Sequence, residues 1–498
     1  MLLDRIFFGL FGLAFMAVVV EGLQSNNTLN STGVFSNLNL GVTMDNEGRD
    51  ASSYDADMRL AKFSGIDAFA LNIGTDPSMD KQLGLAYASA AQIGMKVFIS
   101  FDFAWFRTDD PGAIAARISR WAKEPAQFFY NGKIFVSSFE GNGLDVNAVR
   151  AQVRQATGME IYFAPNFAPR GQGGAGFGGV DGALNWMGWR NNGHNRAPDG
   201  AVVTVDAGDR AYINELSGKG YIAPVSAWFS THFGPEVAYS KNWVFPGDLL
   251  LYHRWVEILA LQPQFVELLT WNDYGESHYM GPLSSRHSDD GASKWVNDMP
   301  HTGWLTLSKA FITAYKAGAN TLWPYFIDSD KLIYWYRTHP RDLNCDSTDT
   351  TGRPEGYQIL TDTISVVVLL RSPAVVSILS GGTRYLSSEL PAGASALSVP
   401  FKLGAQRFSI MRNGVEVMEA TSLKEIKAEC PCGLYNFNPY VGTLAPEAVD
   451  SLDSAGLAAF SRGLRADCKP QPSLSPNPPP TAPVTSTVGV GPVPTEKV

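Results

Sequence analysis

Along the first half of the chain, short apolar runs alternate with stretches whose apolar residues recur every three or four positions. The runs lie at 39–44 (NLGVTM), 66–73 (IDAFALNI), 96–102 (KVFISFD), 133–140 (KIFVSSFE), 160–166 (EIYFAPN), 182–187 (GALNWM), 221–229 (YIAPVSAWF) and 265–273 (FVELLTWND). Helical periodicity marks 54–65, 83–94 and 112–123 between the early runs, and the first two of these close on Gly, a common helix terminator. Nearly unbroken apolar strands separated by helices indicate a parallel sheet covered on both faces. Eight such strands within about 250 residues predict an α/β fold, a (β/α)8 (TIM) barrel over residues 36–318. A doubly wound open sheet is the alternative. One more helix is predicted over 304–318.

Near residue 332 the pattern changes to alternating and β-branched runs broken by Gly, Pro and the Asn413-Gly414 pair. That signature predicts a C-terminal antiparallel β-sandwich over 319–468. Residues 469–498 are rich in Pro, Ser and Thr and short of core-forming residues, which predicts a disordered tail. At the other end, Arg5 precedes an apolar run from Ile6 to Val20. As a helix it would span roughly 22 Å, short of a ~30 Å hydrocarbon core, so residues 1–24 read as a signal peptide and not a membrane anchor. Sequons at Asn26 and Asn30 follow directly and suit a secreted glycoprotein.

Composition narrows the partners. A net charge of −9 argues against nucleic acid or an anionic membrane and is compatible with a neutral ligand. Aromatics at 12%, twelve of them Trp, provide rings able to stack on sugars, although core packing accounts for most such residues. The four cysteines, Cys345, Cys430, Cys432 and Cys468, lie late in the chain, and up to two disulfides in any of three pairings are compatible with the sequence. Residues 171–176 spell G-x-G-x-x-G but open no helix, so a mobile Gly-rich lid or cleft wall is the better reading than a dinucleotide site. Neither cofactor nor metal is expected, and the protein is expected to act as a monomer.

In a barrel the active site lies at the C-terminal ends of the strands. Polar residues there are Asp102, Glu140, Asn166, His232 beyond Trp228, and Asp273 and Glu276 in WNDYGESHY. Asp102 lies among Phe101, Phe103, Trp105 and Phe106, and its alternative reading is a helix cap or ion-pair partner. Asp273 and Glu276 form a D-x-x-E pair that also fits a strand-ending turn. Glycoside hydrolysis needs two carboxyl groups in opposite protonation states, and crowding drives their pKa values apart. Trp271, Tyr274, Trp105 and Trp228 are candidate sugar contacts, with His232, His278, Asn166 and Glu140 as polar ones.

The stretches KFSGIDAFALNIG (62–74), KVFISFDF (96–103), WFSTHFGPEVAYSKNWVFPGDLLLYHRW (228–255) and LTWNDYGESHYMGPL (269–283) resemble the fungal α-1,3-glucanases, or mutanases, of glycoside hydrolase family 71. CPCGLYNFNPYVG (430–442) resembles the family's C-terminal region. The resemblance implies a secreted endo-hydrolase of the neutral polysaccharide α-1,3-glucan in cell walls, acting with inversion. It places the essential acids on Asp102, Asp273 and Glu276. Glu276 is assigned as general acid and Asp273 as general base, with the exchange of these roles open, and Asp102 as a sugar-holding or pKa-tuning group. Two departures stand out: the opening VFSNLNLGVTM differs from the family's usual first strand, and MPHTGW (299–304) lacks an acid usual after the His. The alternatives are a hydrolase of another neutral glucan and an inactive wall-polysaccharide-binding protein.

Overall fold

The computed structural model describes residues 33–39, 50–192, 204–235, 237, 239–283, 291–444, 450 and 484–490; residues 35–39 and 484–490 are described by backbone alone. Residues 1–24, the sequons at Asn26 and Asn30, residues 40–44 and Cys468 lie outside the described residues.

The first region carries strands β1 (Gly33–Asn39), β2 (Ala68–Ile73), β3 (Lys96–Asp102), β4 (Phe129–Tyr130), β5 (Lys133–Phe139), β6 (Ile161–Phe163), β7 (Gly182–Leu184), β8 (Gly220–Val225), β9 (Phe229–Phe233), β10 (Lys241–Phe245) and β11 (Phe265–Leu268). Its helices are α1 (Ala51–Phe63), α2 (Met79–Ile93), α3 (Pro111–Trp121), α4 (Val146–Thr157), α5 (Val205–Leu216), α6 (Leu250–Leu261), α7 (Ser293–Val296) and α8 (Thr302–Lys316). The main sheet runs β4-β5-β3-β2-β1-β11-β8-β7, with β6 also paired to β5. All its pairings are parallel except the short β4–β5 hairpin. Between β6 and β7, Asp181 N donates to Phe163 O (2.9 Å) and Leu184 N to Pro165 O (2.9 Å).

Strand periodicity divides the core in two. Phe69, Leu71, Val97, Ile99, Val136, Ala223 and Val266 join the helices in one cluster. Their neighbours Ala68, Ala70, Phe98, Phe135, Ile222 and Phe265 meet in another cluster across the strands. This is the alternation that side chains pointing to opposite faces of a strand dictate. Asp caps start α1, α3 and α4: Asp50, Asp110 and Asp145 accept from Ser53, Ala113 and Ala148 N at 3.0 Å each, which gives these acids a structural role.

Two strand expectations are corrected. A strand lies at Gly33–Asn39, ahead of the expected 39–44, and its backbone pairs there with both β11 and β2; residues 40–44 lie outside the described residues. The run at 221–229 is two elements: β8 ends at Val225, and Phe229 opens β9, which pairs antiparallel with β10. Continuous apolarity conceals that change of partner.

The second region holds β12 (Lys331–Arg337), β13 (Thr363–Leu370), β14 (Val375–Ser380), β15 (Thr383–Ser387), β16 (Gly393–Pro400), β17 (Gln406–Arg412), β18 (Val415–Thr421), β19 (Pro439–Thr443) and β20 (Val484–Val490). They form two sheets, β16-β13-β12-β19 and β18-β17-β14-β15-β20. Leu332, Val366, Val368 and Leu397 of the first meet Val376, Ile378, Phe408 and Ile410 of the second in one cluster. Asn413 and Gly414 turn β17 into β18 at φ +52° and +76°, as an Asn-Gly hairpin requires. Residues 484–490 pair parallel with β15, a departure from the disordered tail expected there. Cys345 bridges to Cys430 across 85 residues, and Cys432 is also disulfide-bonded. No helix among the described residues is long and apolar enough to cross a membrane. The described part of the Gly-rich segment is a tight turn at Arg170–Gln172 followed by Gly173, Gly176 and Gly179 at positive φ, with no dinucleotide-type helix behind it.

Candidate active site

The turn after β11 is built by local hydrogen bonds. Leu269 N still bonds to Val225 O of β8 at 2.8 Å, and the Leu269–Thr270 peptide is cis. The chain then doubles back: Thr270 N donates to His278 O (3.0 Å), Met280 N to Thr270 O (2.9 Å) and Gly281 N to Trp271 O (2.8 Å). A side chain at 281 has no room, because a Cβ would lie 2.7 Å from both the indole nitrogen and the carbonyl oxygen of Trp271. Within the loop, Asp273 N donates to Thr270 Oγ1 (3.0 Å) and Glu276 N to Asp273 Oδ1 (3.1 Å). The D-x-x-E spacing therefore has a physical cause: the first acid caps the turn that presents the second.

Glu276 is held from two sides. His278 Nε2 lies 2.9 Å from Oε2, and the Lys241 ammonium, carried on β10, bonds to Oε1. The His278 ring is wholly buried, with Nδ1 3.1 Å from Thr270 Oγ1 and Nε2 3.8 Å from Asp273 Oδ2. A consistent proton assignment has the Thr270 hydroxyl donating to Nδ1 and Nε2–H donating to Glu276. Burial pushes the Glu276 carboxyl up, but the Lys241 charge and the His278 hydrogen bond outweigh it and hold the pKa down at about 2. Asp273 moves the other way: burial first, and the neighbouring Glu276 charge second, raise it above the ordinary carboxylate range. The two carboxyls of the pair are thus pushed in opposite directions. This runs against Glu276 as proton donor and favours the exchanged roles.

Asp102 ends β3 with 5% of its surface exposed and accepts from Ala104 N at 2.9 Å. Burial raises its pKa to about 6 against bonds from Ala104 and Asn72; Glu140 adds to the rise and Lys241 opposes it. Both charges that act on Asp102 are residues of the strand ends. Phe101 and Phe106 meet edge to face at 5.1 Å behind it, while Trp105 is 53% exposed.

Among the proposed sugar contacts, burial removes several. Trp271 is wholly buried, edge to face with Phe69 at 5.0 Å, and its ring belongs to the core. Trp228 is buried and donates from Nε1 to Phe437 O (3.0 Å); Tyr274 is buried with its hydroxyl on Pro282 O (2.8 Å). His232 is taken up by Asn242 Oδ1 (2.8 Å) and Asp349 Oδ2 (2.7 Å). His278 lies behind Glu276 and acts on it, not on a ligand. The Asn166 amide donates to Leu184 O (3.0 Å) and Tyr212 Oη (3.2 Å), and its Oδ1 accepts from Glu140 N (3.3 Å). Of the eight, Trp105 and Glu140 are exposed and Asn166 is part-exposed. Lys241 was not legible from sequence: it is one basic residue in a half-polar strand whose partner lies 35 positions later.

One atom each of Asp273, Glu276 and His278 falls within 4.8 Å of the others, a spacing that could hold a cation. The Lys241 ammonium already puts a positive charge on Glu276, which disfavours a metal ion beside it.

The model of glycosyl hydrolase family 71 matches residues 34–453. A Penicillium rubens protein named mutanase Pc12g07500 is 40% identical over 412 residues, 82% of this chain and 88% of the relative. The protein of Schizosaccharomyces pombe named glucan endo-1,3-alpha-glucosidase agn1 is 35% identical over 409 residues, 79% of this chain and 91% of the relative. Among solved structures, the GH99 endo-alpha-mannosidase of Bacteroides thetaiotaomicron aligns at TM-score 0.40 and 8% identity over 57% of this chain and 98% of that one, too distant to bear on the argument. With a family model spanning most of the sequence and two relatives matched over most of their length, the chain belongs to glycosyl hydrolase family 71, and it is a glycoside hydrolase.

Proposed function

We propose that the protein is a secreted endo-hydrolase of α-1,3-glucosidic bonds in α-1,3-glucan. The substrate class comes from the relatives named mutanase and glucan endo-1,3-alpha-glucosidase. The observation that carries the chemistry is the Asp273–Glu276 pair, one carboxyl pushed up and the other held down on a single turn. In this reading Asp273 protonates the leaving glycosidic oxygen, ionised Glu276 serves as the partner carboxylate, and Asp102 holds the sugar and tunes the charge of the site.

The architecture we propose around it is a (β/α)8 barrel followed by a β-sandwich. In support, the two hydrogen bonds between β6 and β7 join the ends of the parallel sheet, and the strands divide their side chains between an inner and an outer cluster. The cluster shared by the two antiparallel sheets supports the sandwich.

Inversion, which the resemblance implies, places a water between carboxyl groups about 6.5–9.5 Å apart. One carboxylate oxygen of Asp273 and one of Glu276 lie within 4.8 Å of each other, a nearest-atom distance that is shorter than the separation of the two carboxyl groups. The test is product release from α-1,3-, α-1,4- and β-1,3-glucans with the anomer followed over time. Release from the α-1,3 polymer alone, with the inverted anomer first, is expected. Polymer binding without product, unchanged in Asp273→Asn and Glu276→Gln, overturns the hydrolase reading.

A further inference from the structure

The hairpin β9–β10 lies outside the parallel sheet, yet it places a residue of chemical consequence at the site. Lys241 opens β10, pairs with Phe233 of β9 and sets its ammonium on Glu276 Oε1, with 26% of the side chain exposed. Ser230 N of β9 donates to Glu276 O at 3.0 Å, so the hairpin grips the turn by backbone as well as by charge.

The outer edge of β10 is fixed from the second region. Val244 N donates to Glu355 O (2.9 Å) and Glu355 N to Asn242 O (3.0 Å). The Asn242 amide donates to Gly352 O (3.1 Å) and its Oδ1 meets His232 Nδ1, whose Nε2 is 2.7 Å from Asp349 Oδ2. That loop follows Cys345, which the bridge to Cys430 anchors. Lys241 therefore stands on a strand braced on both sides, an arrangement that limits how far a long, flexible side chain wanders.

We propose that Lys241 is a positioning residue of the hydrolytic site, fixing the orientation of the Glu276 carboxylate through the bond to Oε1 and supplying the positive charge that Asp102, Asp273 and Glu276 share. This rests on the reading of Asp273 and Glu276 as the acting pair. The groups facing the site are Asp102 from β3, Glu140 after β5, Asp273, Glu276 and His278 from the turn, and Lys241 itself. Removing the ammonium relieves Glu276 of the charge that keeps it ionised, so its proton binds at higher pH. Asp102 and Asp273 lose an opposing charge too and retain their protons to higher pH. Both limbs of the activity profile then move the same way.

The experiment compares kcat/KM against pH on α-1,3-glucan for the unaltered protein, Lys241→Met, Lys241→Gln and Lys241→Arg, each checked by thermal melting. With the charge removed, both limbs are expected to move up by about 1–3 pH units. On the acidic limb of the unaltered protein, activity falls roughly tenfold per unit of that displacement. Lys241→Arg restores the position of the profile. Neutral variants that lose height with both limbs unmoved, or that behave as the unaltered protein does, overturn the proposal. If the unaltered protein releases no product, the functional reading fails by itself. Glu276 protonation, read as the infrared difference against Glu276→Gln between pH 2 and 7 with and without Lys241→Met, then decides about Lys241. The same titration in both overturns it.

Discussion

Two buried charge clusters lie a few strands apart and are put together in opposite ways. Behind β8, the wholly buried Arg254 spends its guanidinium on Asp209 at 2.5 and 2.9 Å, on Glu257 at 3.1 Å and on Pro224 O at 2.7 Å. At the candidate site, one ammonium, Lys241, acts on the three carboxyls of Asp102, Asp273 and Glu276. The Arg254–Asp209 pair is buried and bidentate, a geometry suited to holding α5, α6 and β8 together. Burial first, and neighbouring carboxylates after it, push Asp102 and Asp273 up, while the Lys241 charge and the His278 hydrogen bond hold Glu276 down. A satisfied cluster stabilises; an unbalanced one can do acid–base work.

Conservative amide variants separate the two most sharply. Asp273→Asn and Glu276→Gln should lower kcat by roughly 10²–10⁴-fold while the melting temperature stays near that of the unaltered protein. Asp209→Asn should do the reverse. It strands a buried guanidinium, at a cost of about 3–5 kcal/mol in unfolding free energy, with kcat of the remaining folded protein unchanged. Chemical denaturation and initial rates on the same preparations check both, and equal losses of stability in the two clusters would remove the distinction.

Next in size is a pH effect on stability. Asp102 has a folded pKa of about 6, above its ordinary 3.8. The folded state therefore binds the extra proton, and stability contributed by that proton is complete below the ordinary value, declines as pH rises to about 6, and is gone above it. Asp102→Asn should accordingly stabilise the protein at pH 7 by on the order of 2–3 kcal/mol and change little at pH 3. Urea unfolding at the two pH values measures this; an equal effect at both would mean that Asp102 is not holding a proton in the folded state.

Legibility from sequence followed the locality of the cause. The run KVFISFD became β3 with Asp102 at its end, because an apolar run stopped by an acid records both facts in adjacent positions. Asp273 and Glu276 were equally visible, since one turn contains both and their hydrogen bond. For Trp271 the sequence left sugar contact and core packing both open, because the Phe69 that buries it comes from β2, some two hundred residues earlier, and nothing near Trp271 reports this. His232 was misplaced for the same reason, its partner Asp349 belonging to the second region. Lys241 was missed, and with it the opposite pKa shifts of Asp273 and Glu276, because a charge that sets another group's pKa leaves its mark only in three dimensions. The acids could be found from the sequence; which of them keeps its proton could not.

The smallest effect tests the line between core and cleft drawn through the aromatics. Trp105 follows Asp102 by three residues, its N–H on Asp102 O at 3.0 Å, and its ring is 53% exposed. A ring with that much open surface contributes little to folding, so Trp105→Ala should shift stability by no more than about 0.5 kcal/mol. If the ring stacks on the polymer, losing a contact of about 0.5–1.5 kcal/mol raises KM roughly two- to tenfold with kcat nearly constant. Trp271→Ala supplies the contrast, since it empties a sealed position and should cost about 3–5 kcal/mol of stability. A Trp105 variant with unchanged KM leaves the ring without a part in binding.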